Sequence, residues 1–254
     1  MAPSNPVAIV TGGARRIGRA IVEDLAANGW AVAIHCHASR RDGERLAAEI
    51  VKAGGKATVI DADLSNLAEA VKIVPLAAKA LGAPTLLVNS AGTFDFDEVG
   101  ALDPKLWQHQ MTVNATAPIF LAEAFAKALP DGVQGNVVNI IDQRVWKPTP
   151  HYFSYQMSKS SLYDATRVLA QALAPRVRVN AIGPGPVLKS VRQSDADFSR
   201  QSAAVPLGRG PMLAEFGRTI RFFVDTPSVT GQMIALDGGQ HLSWQTPDLV
   251  EVEE

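Results

Sequence analysis

The chain has 254 residues, enough for one α/β unit with a sizeable core. Its 24 Lys and Arg against 25 Asp and Glu leave a net charge of −1, which excludes a nucleic-acid binder that works by bulk positive charge. At 47% hydrophobic and 19% charged it is not a disordered chain, and its single cysteine, Cys36, excludes an intrachain disulfide.

Residues 7–11 form a short β-branched apolar run that ends in Gly12 and Gly13, the pattern of a buried strand entering a glycine turn. Residues 16–28 carry Ile17, Ile21 and Leu25 at helical spacing, and Gly29 closes that helix. A strand over 31–34, a helix over 40–53 and a strand over 57–60 follow. Ser65 reads as the N-cap of a helix that stops near 82–84. Then come a strand at 85–88, a mostly helical stretch at 103–129, a strand at 136–141, a helix at 154–174 and a strand at 176–182. Residues 186–211 read as polar and irregular, before a helix near 214–225 and a last strand at 233–236.

This alternation predicts an α/β fold, a single doubly wound parallel sheet with helices on both faces. No composition break marks a second domain within 1–254. Right-handed crossovers put the carboxyl ends of all strands on one edge, where ligands of such sheets bind. Gly12, Asn89, Asp142 and Gly183 follow strands and are expected to meet there. Residues 1–6 lack the basic and apolar regions of a secretory signal, and no apolar run approaches the ~18 residues of a membrane span, so a cytoplasmic protein without a membrane partner is expected. No Cys/His pair has zinc spacing, so no metal is expected, and His35 and His37 read as packing or hydrogen-bonding residues.

Thr11-Gly12-Gly13-Ala14-Arg15-Arg16-Ile17-Gly18 joins the first strand to the first helix. Glycines let a backbone approach a pyrophosphate, and the helix start offers free N–H groups. A site for a free ribose 2′-hydroxyl places an acid about 20 residues past the glycines. Here the stretch is His35-Cys36-His37-Ala38-Ser39-Arg40-Arg41, with no acid before Asp42. The Ser39 hydroxyl and the charges of Arg40 and Arg41 suit a 2′-phosphate, so the expected cofactor is NADP(H). Tyr155 and Lys159, four apart in a helix, share a face. The ammonium is expected to favour the phenolate and lower the tyrosine from its usual value near 10.

These motifs resemble the short-chain dehydrogenase/reductase family, with its TGxxxGxG turn and YxxxK helix. Arg16 stands where the middle glycine of that turn usually sits, and TGGARRIG is similar to the pteridine reductase branch, which includes bacterial dihydromonapterin reductases. The resemblance spans residues 7–242 and implies a Rossmann-like fold. It implies cofactor contacts from Gly12, Arg15, Arg16, Ile17, Gly18, His37, Ser39 and Arg40, with Asp63 of the Asp63-Leu64 pair on the adenine amino group. Asn89-Ser90-Ala91-Gly92 is similar to the family's NNAG motif, so Asn89, Ala91 and Gly92 would support the sheet and the nicotinamide ribose. Gly183-Pro184-Gly185-Pro186 is similar to the loop against the nicotinamide, which places Gly185 there. Lys159 would bind the ribose, and Asn114 would hold a water that links the lysine to solvent.

Asp142 stands thirteen residues before Tyr155, where the family usually has serine. A hydroxyl can donate to a carbonyl oxygen as it becomes an alkoxide; an ionised carboxylate cannot, and repels that charge. A carboxylate suits C=N reduction instead, because it stabilises a protonated imine. Pteridine reductases carry aspartate here, and Phe94 stands where they have a phenylalanine that sandwiches the pterin against the nicotinamide. The expected function is therefore an NADPH-dependent dihydropterin reductase, with dihydromonapterin and dihydrofolate as candidate substrates. Tyr155 would supply the proton, Asp142 would stabilise the ring nitrogen, and Arg16 and Phe94 would hold the pterin. The rivals are a carbonyl or alcohol oxidoreductase such as a 3-oxoacyl reductase, and a non-catalytic NADP-sensing module, which would need neither Tyr155 nor Lys159. The resemblance also implies a homotetramer and a substrate loop at 186–211, in which Leu188 and Val191 could line the pocket. The acidic tail, 246–254, lies outside it.

Overall fold

A computed structural model, described over residues 5–190 and 192–244, has seven parallel strands in one sheet. They are β1 (Val7–Val10), β2 (Ala31–Cys36), β3 (Ala57–Asp61), β4 (Leu86–Asn89), β5 (Gly135–Ile140), β6 (Val177–Pro184) and β7 (Met233–Leu236). Their order is β3-β2-β1-β4-β5-β6-β7. The order reverses between β1 and β4, where Val10 is in register with Val88. The crevice outside such a reversal is where doubly wound sheets bind ligands. Val191 and the acidic tail lie outside the described residues.

Side chains alternate across the sheet, so each strand feeds two cores. Val10, Leu86 and Val88 meet α1 (Arg16–Ala27), α2 (Arg40–Lys52) and α9 (Leu213–Asp225) through Ile21, Leu25, Leu46 and Phe216. Ile9 and Leu87 meet α4 (Ile73–Leu81), α6 (Ala117–Ala128) and α7 (Phe153–Leu173) through Ile73, Leu121, Phe125 and Ala170. Among the described residues, no helix is long and apolar enough to cross a membrane.

Three expected elements differ, each for a local reason. The stretch from Ser65 is two helices, α3 (Leu67–Ala70) and α4, and the cap is Asn66, whose side chain accepts from the Ala68 N–H. The Ser65 hydroxyl is spent on Asp63 at 2.7 Å. Pro75 has no N–H for the carbonyl of Val71, so one continuous helix cannot form. The 103–129 stretch contains α5 (Pro104–Met111), a π turn (Thr112–Thr116) and α6. Pro118 likewise cannot bond the carbonyl of Asn114, and the turn widens there. The 186–211 segment contains α8 (Asp195–Ala203), whose Ser194 cap accepts from the Asp197 N–H. Ser194 followed by two acids is a helix-start signal that the glycine- and proline-rich flanks obscured.

A buried polar ladder fixes α7 against the sheet. Asn89 Nδ2 donates to Asn139 Oδ1 at 2.9 Å, and Asn139 Nδ2 donates to the Thr166 hydroxyl at 2.9 Å. Asn139 is fully buried, so the ladder cannot be replaced by water. Asn139→Leu is expected to lower stability by roughly 1–3 kcal/mol by leaving partners on β4 and α7 unpaired. Denaturant unfolding checks it, and an unchanged midpoint refutes the ladder's role.

Candidate active site

The turn after β1 is built for close backbone approach. Gly12 has φ +62°, and a Cβ there would sit 2.9 Å from Ala91 Cα. A Cβ on Gly18 would sit 2.2 Å from the Gly12 carbonyl oxygen, so only glycine lets α1 start this near the turn. The Gly12 N–H donates to His35 Nδ1 at 3.2 Å, and His35 Nε2 bonds the Ala62 carbonyl at 3.0 Å. On the other side, the Thr11 hydroxyl accepts from the N–H groups of Ser90 and Ala91. The turn is thus pinned to both β2 and the loop after β4.

Around it runs a cleft of about 570 Å³. Gly12, Arg15, Arg16, Ile17 and Gly18 line one end, with His37, Ser39, Asp63 and Leu64 nearby. Ala91, Gly92, Tyr155, Lys159 and Gly185 line the other. Asn89 does not reach the cleft, since its side chain belongs to the buried ladder. Gly183 lies within β6 against Met233, and its successors Pro184 and Gly185 reach the cleft. Arg40 differs from expectation: its guanidinium pairs with Glu44 at 2.8 Å and Asp61 at 3.7 Å and does not line the cleft. Arg15, paired with Asp42 at 2.5 Å, is the cation that lines it near Ser39. Asp63 accepts from both the N–H and the hydroxyl of Ser65, which hold its carboxyl below the usual range. Among the described residues no cluster of three His, Cys, Asp or Glu could hold a metal.

A second cavity, of about 470 Å³, lies outward of the cleft. The two share Arg16, Phe94, Asp142 and Tyr155, the four residues expected to meet substrate, and Leu188 lines both. Arg16 sits at φ +52°, a left-handed backbone that normally takes glycine. Its guanidinium donates to the carbonyls of Leu188 and Lys189 at 3.2 and 3.1 Å, tying the glycine turn to the loop after β6. Phe94 packs edge-on to Tyr155, with centroids 4.7 Å apart, and stacks one face on Tyr152 at 4.2 Å. Arg192 holds the Phe94 carbonyl at 2.8 Å and the Asp95 carboxylate at 2.6 Å.

The Tyr155 hydroxyl donates to Asp142 Oδ2 at 2.8 Å, and the Arg144 N–H donates to Oδ1 at 2.9 Å. This corrects the expected tuning. Burial and the adjacent Asp142 carboxylate push the phenol well above its usual value near 10. Burial also raises the Asp142 carboxyl, against the opposing pull of the Arg144 N–H and charge, the Tyr155 hydroxyl and Lys159. Lys159 Nζ is spent on the Ile140 carbonyl at 2.9 Å and lies 5.8 Å from the Tyr155 ring centre. Burial draws that ammonium down to about 8. The carboxyl, not the phenol, is thus the acid brought toward neutrality. Asn114 is fully buried; its Oδ1 accepts from the Thr93 N–H and its Nδ2 donates to the Thr93 carbonyl and the Ser158 hydroxyl.

Sequence reasoning missed Tyr152, Arg144 and Arg192. Tyr152 is left-handed at φ +59°, which no local motif announces. Arg144 and Arg192 reach the cavity only through the fold, although the step of two from Asp142 was visible for the first.

The short chain dehydrogenase family model matches residues 6–199, and the chain belongs to that family. The structure of FolM alternative dihydrofolate reductase 1 from Brucella canis, complexed with NADP, is 55% identical, covers 97% of this chain and 98% of its own, and superposes with a TM-score of 0.95. Pteridine reductase 1 of Leishmania tarentolae is 32% identical, over 95% of this chain and 98% of its own. A 3-oxoacyl-acyl-carrier-protein reductase of Synechocystis is 29% identical, over 92% of this chain and 96% of its own.

Two outcomes follow from this geometry. Arg16→Gly relieves a left-handed residue that costs about 1–3 kcal/mol, so it is expected to melt no lower than the wild type while losing turnover; a clear drop in melting temperature would refute the strain. Burial holds the His35 imidazole below its usual value. Its contribution to stability is therefore full above about pH 6.5 and is lost as pH falls toward the depressed value. Melts from pH 5 to 7 are expected to show a shallower acid decline in His35→Gln.

Proposed function

We propose that this short-chain dehydrogenase is an NADPH-dependent reductase of dihydropterins that acts on a ring C=N bond, with dihydromonapterin and dihydrofolate as candidates. The observation that carries the reading is the Tyr155–Asp142 hydrogen bond in the wall shared by the two cavities. The likeness to the Brucella dihydrofolate reductase and to pteridine reductase 1 supports it. The residues present fit the dinucleotide on two grounds. The turn leaves no room for a side chain at Gly18, and the buried Thr93 hydroxyl in the cleft wall has no partner among the described residues. Resemblance to the family supports a homotetramer that works in the cytoplasm.

Gly12, Ile17 and Gly18 would hold the pyrophosphate, Ser39 and Arg15 the 2′-phosphate, and Lys159 the nicotinamide ribose. The reduced nicotinamide supplies the hydride. As the C=N electrons move onto the ring nitrogen, that nitrogen takes a proton. Asp142 is placed to give it, because a carboxyl raised by burial holds and yields protons closer to neutrality. Tyr155, donating to Oδ2, orients the carboxyl and connects it to the proton supply. The carboxylate left once the proton is given stabilises a cationic, protonated C=N, a charge that a carbonyl substrate growing an alkoxide does not offer.

Cofactor oxidation followed by absorbance tests this. Dihydropterins are expected to turn over and 3-oxoacyl esters are not; the opposite result rejects the proposal. Asp142→Asn is expected to lower kcat/KM by about 10²–10⁴-fold, the usual worth of a general acid, and by more than Tyr155→Phe. An equal or larger loss in Tyr155→Phe would return the acid's role to the phenol. Because the carboxyl's value is raised on folding, its ionisation costs stability as pH climbs through that value. Asp142→Asn is therefore expected to gain in melting temperature relative to wild type above it.

A further inference from the structure

One buried ring joins the two loops at the adenosine end of the cleft. His35 is the penultimate residue of β2, the strand between β1 and β3, and is 2% exposed. Its carbonyl accepts from the Gly13 N–H at 2.9 Å and its Nδ1 from the Gly12 N–H at 3.2 Å, so two consecutive donors of the glycine turn end on this one residue. On the other side, Nε2 meets the Ala62 carbonyl at 3.0 Å. Ala62 follows β3 and precedes Asp63 and Leu64, which line the cleft together with Gly12. The imidazole is thus a strut between the turn after β1 and the loop after β3.

The partners fix where the ring's hydrogen sits. The Gly12 N–H can only donate and the Ala62 carbonyl can only accept, so Nδ1 is the bare nitrogen and Nε2 carries the hydrogen. An imidazolium would turn an Nδ1–H against the Gly12 N–H, and the other tautomer would break both contacts. Burial is the main influence that keeps the ring neutral, and His37 after β2 adds to it. The Ala62 carbonyl and the carboxylates of Asp61 and Asp63 pull the other way. The other charged or titratable groups around this corner are engaged elsewhere or stand across the cleft. Glu69 of α3 accepts from the Asp63 N–H, Arg15 pairs with Asp42, Arg40 pairs with Glu44 and Asp61, and His109 of α5 lines the same cleft.

We propose that His35 is a positioning residue for NADP(H). As a neutral ring bonded at both nitrogens, it sets the glycine turn and the loop after β3 at one spacing, so that phosphate and adenine contacts form together. Protonation of the ring releases the turn and weakens cofactor binding. The inference rests on the turn as the pyrophosphate site and is independent of the dihydropterin reading.

The test uses the full-length protein and NADPH, with no substrate. Long-range ¹H–¹⁵N spectra of the wild type near neutral pH are expected to show His35 protonated on Nε2 alone; a ring carrying its hydrogen on Nδ1 overturns the proposal. Fluorescence titration with NADPH then gives Kd. His35→Leu removes both ring bonds and is expected to raise Kd at least about tenfold, the order of one buried group left unmatched. His35→Gln offers one acceptor and one donor, does not titrate, and is expected to recover part of that loss. An unchanged Kd in His35→Leu overturns the proposal. A ring that only supported the fold would shift Kd equally at every pH. Instead, the ratio of wild-type Kd to His35→Gln Kd is expected to stay flat while the spectra show a neutral ring. It is expected to rise as the ring protonates, by up to about tenfold per pH unit, because only the neutral fraction binds well. The ratio cancels the cofactor's own 2′-phosphate, which titrates near about pH 6 with either protein. A ratio that stays flat while the ring protonates, or climbs while it is neutral, overturns the proposal. Should His35→Leu fail to fold, the tautomer and the ratio still decide.

Discussion

One hydrogen bond organises this protein, from the Tyr155 hydroxyl to Asp142 Oδ2. It brings an acid from the end of β5 against a phenol on α7, at the point where two cavities meet. Burial and the neighbouring carboxylate make the phenol hold its proton, while burial makes the carboxyl hold its own against the pull of the Tyr155 hydroxyl. The phenol is pushed away from neutrality and the carboxyl toward it. The familiar tyrosine–lysine pair is present in spacing, but its electrostatics are governed by the aspartate. The Lys159 ammonium is held by the Ile140 carbonyl and lines the cleft.

The surroundings of that bond concentrate backbone strain. Arg16 and Tyr152 are the non-glycine residues with left-handed φ among those described, and both line the outer cavity. Strained residues persist where neighbours over-determine them. Arg16 is held by two carbonyls of the loop after β6, and Tyr152 by its stack on Phe94. Phe94 is in turn fixed through its carbonyl by Arg192. Glycine turn, aromatic wall and the loop after β6 therefore form one connected frame around the acid pair.

Most of the fold was legible in the sequence because its signals are local. β-branched runs, helical spacing and glycine stops each act within a few residues, and strand–helix alternation then leaves a doubly wound parallel sheet as the economical way to bury both faces. The elements that escaped were decided by single residues: Pro75, Pro118 and the Ser194 cap. Within the site, the glycine turn, Asp142, Tyr155 and Lys159 could be named because their spacing along the chain carries the chemistry. The pairing of Arg40 was not legible, because its partners, Glu44 and Asp61, come from the next helical turn and from the neighbouring strand.

Residue identity and spacing were thus sufficient for the fold class, for the glycine turn's suitability for a dinucleotide, and for the presence of an acid where a hydroxyl is usual. The opposite shifts of Tyr155 and Asp142, away from and toward neutrality, the partner of each charge and the place of Arg144 over Phe94 and Tyr152 were set only by the folded chain. Ionisation depends on burial and on charges a few ångströms away, and those neighbours come from strands, loops and helices far along the chain, 97 positions apart for Arg192 and Asp95 and 197 for Arg221 and Asp24.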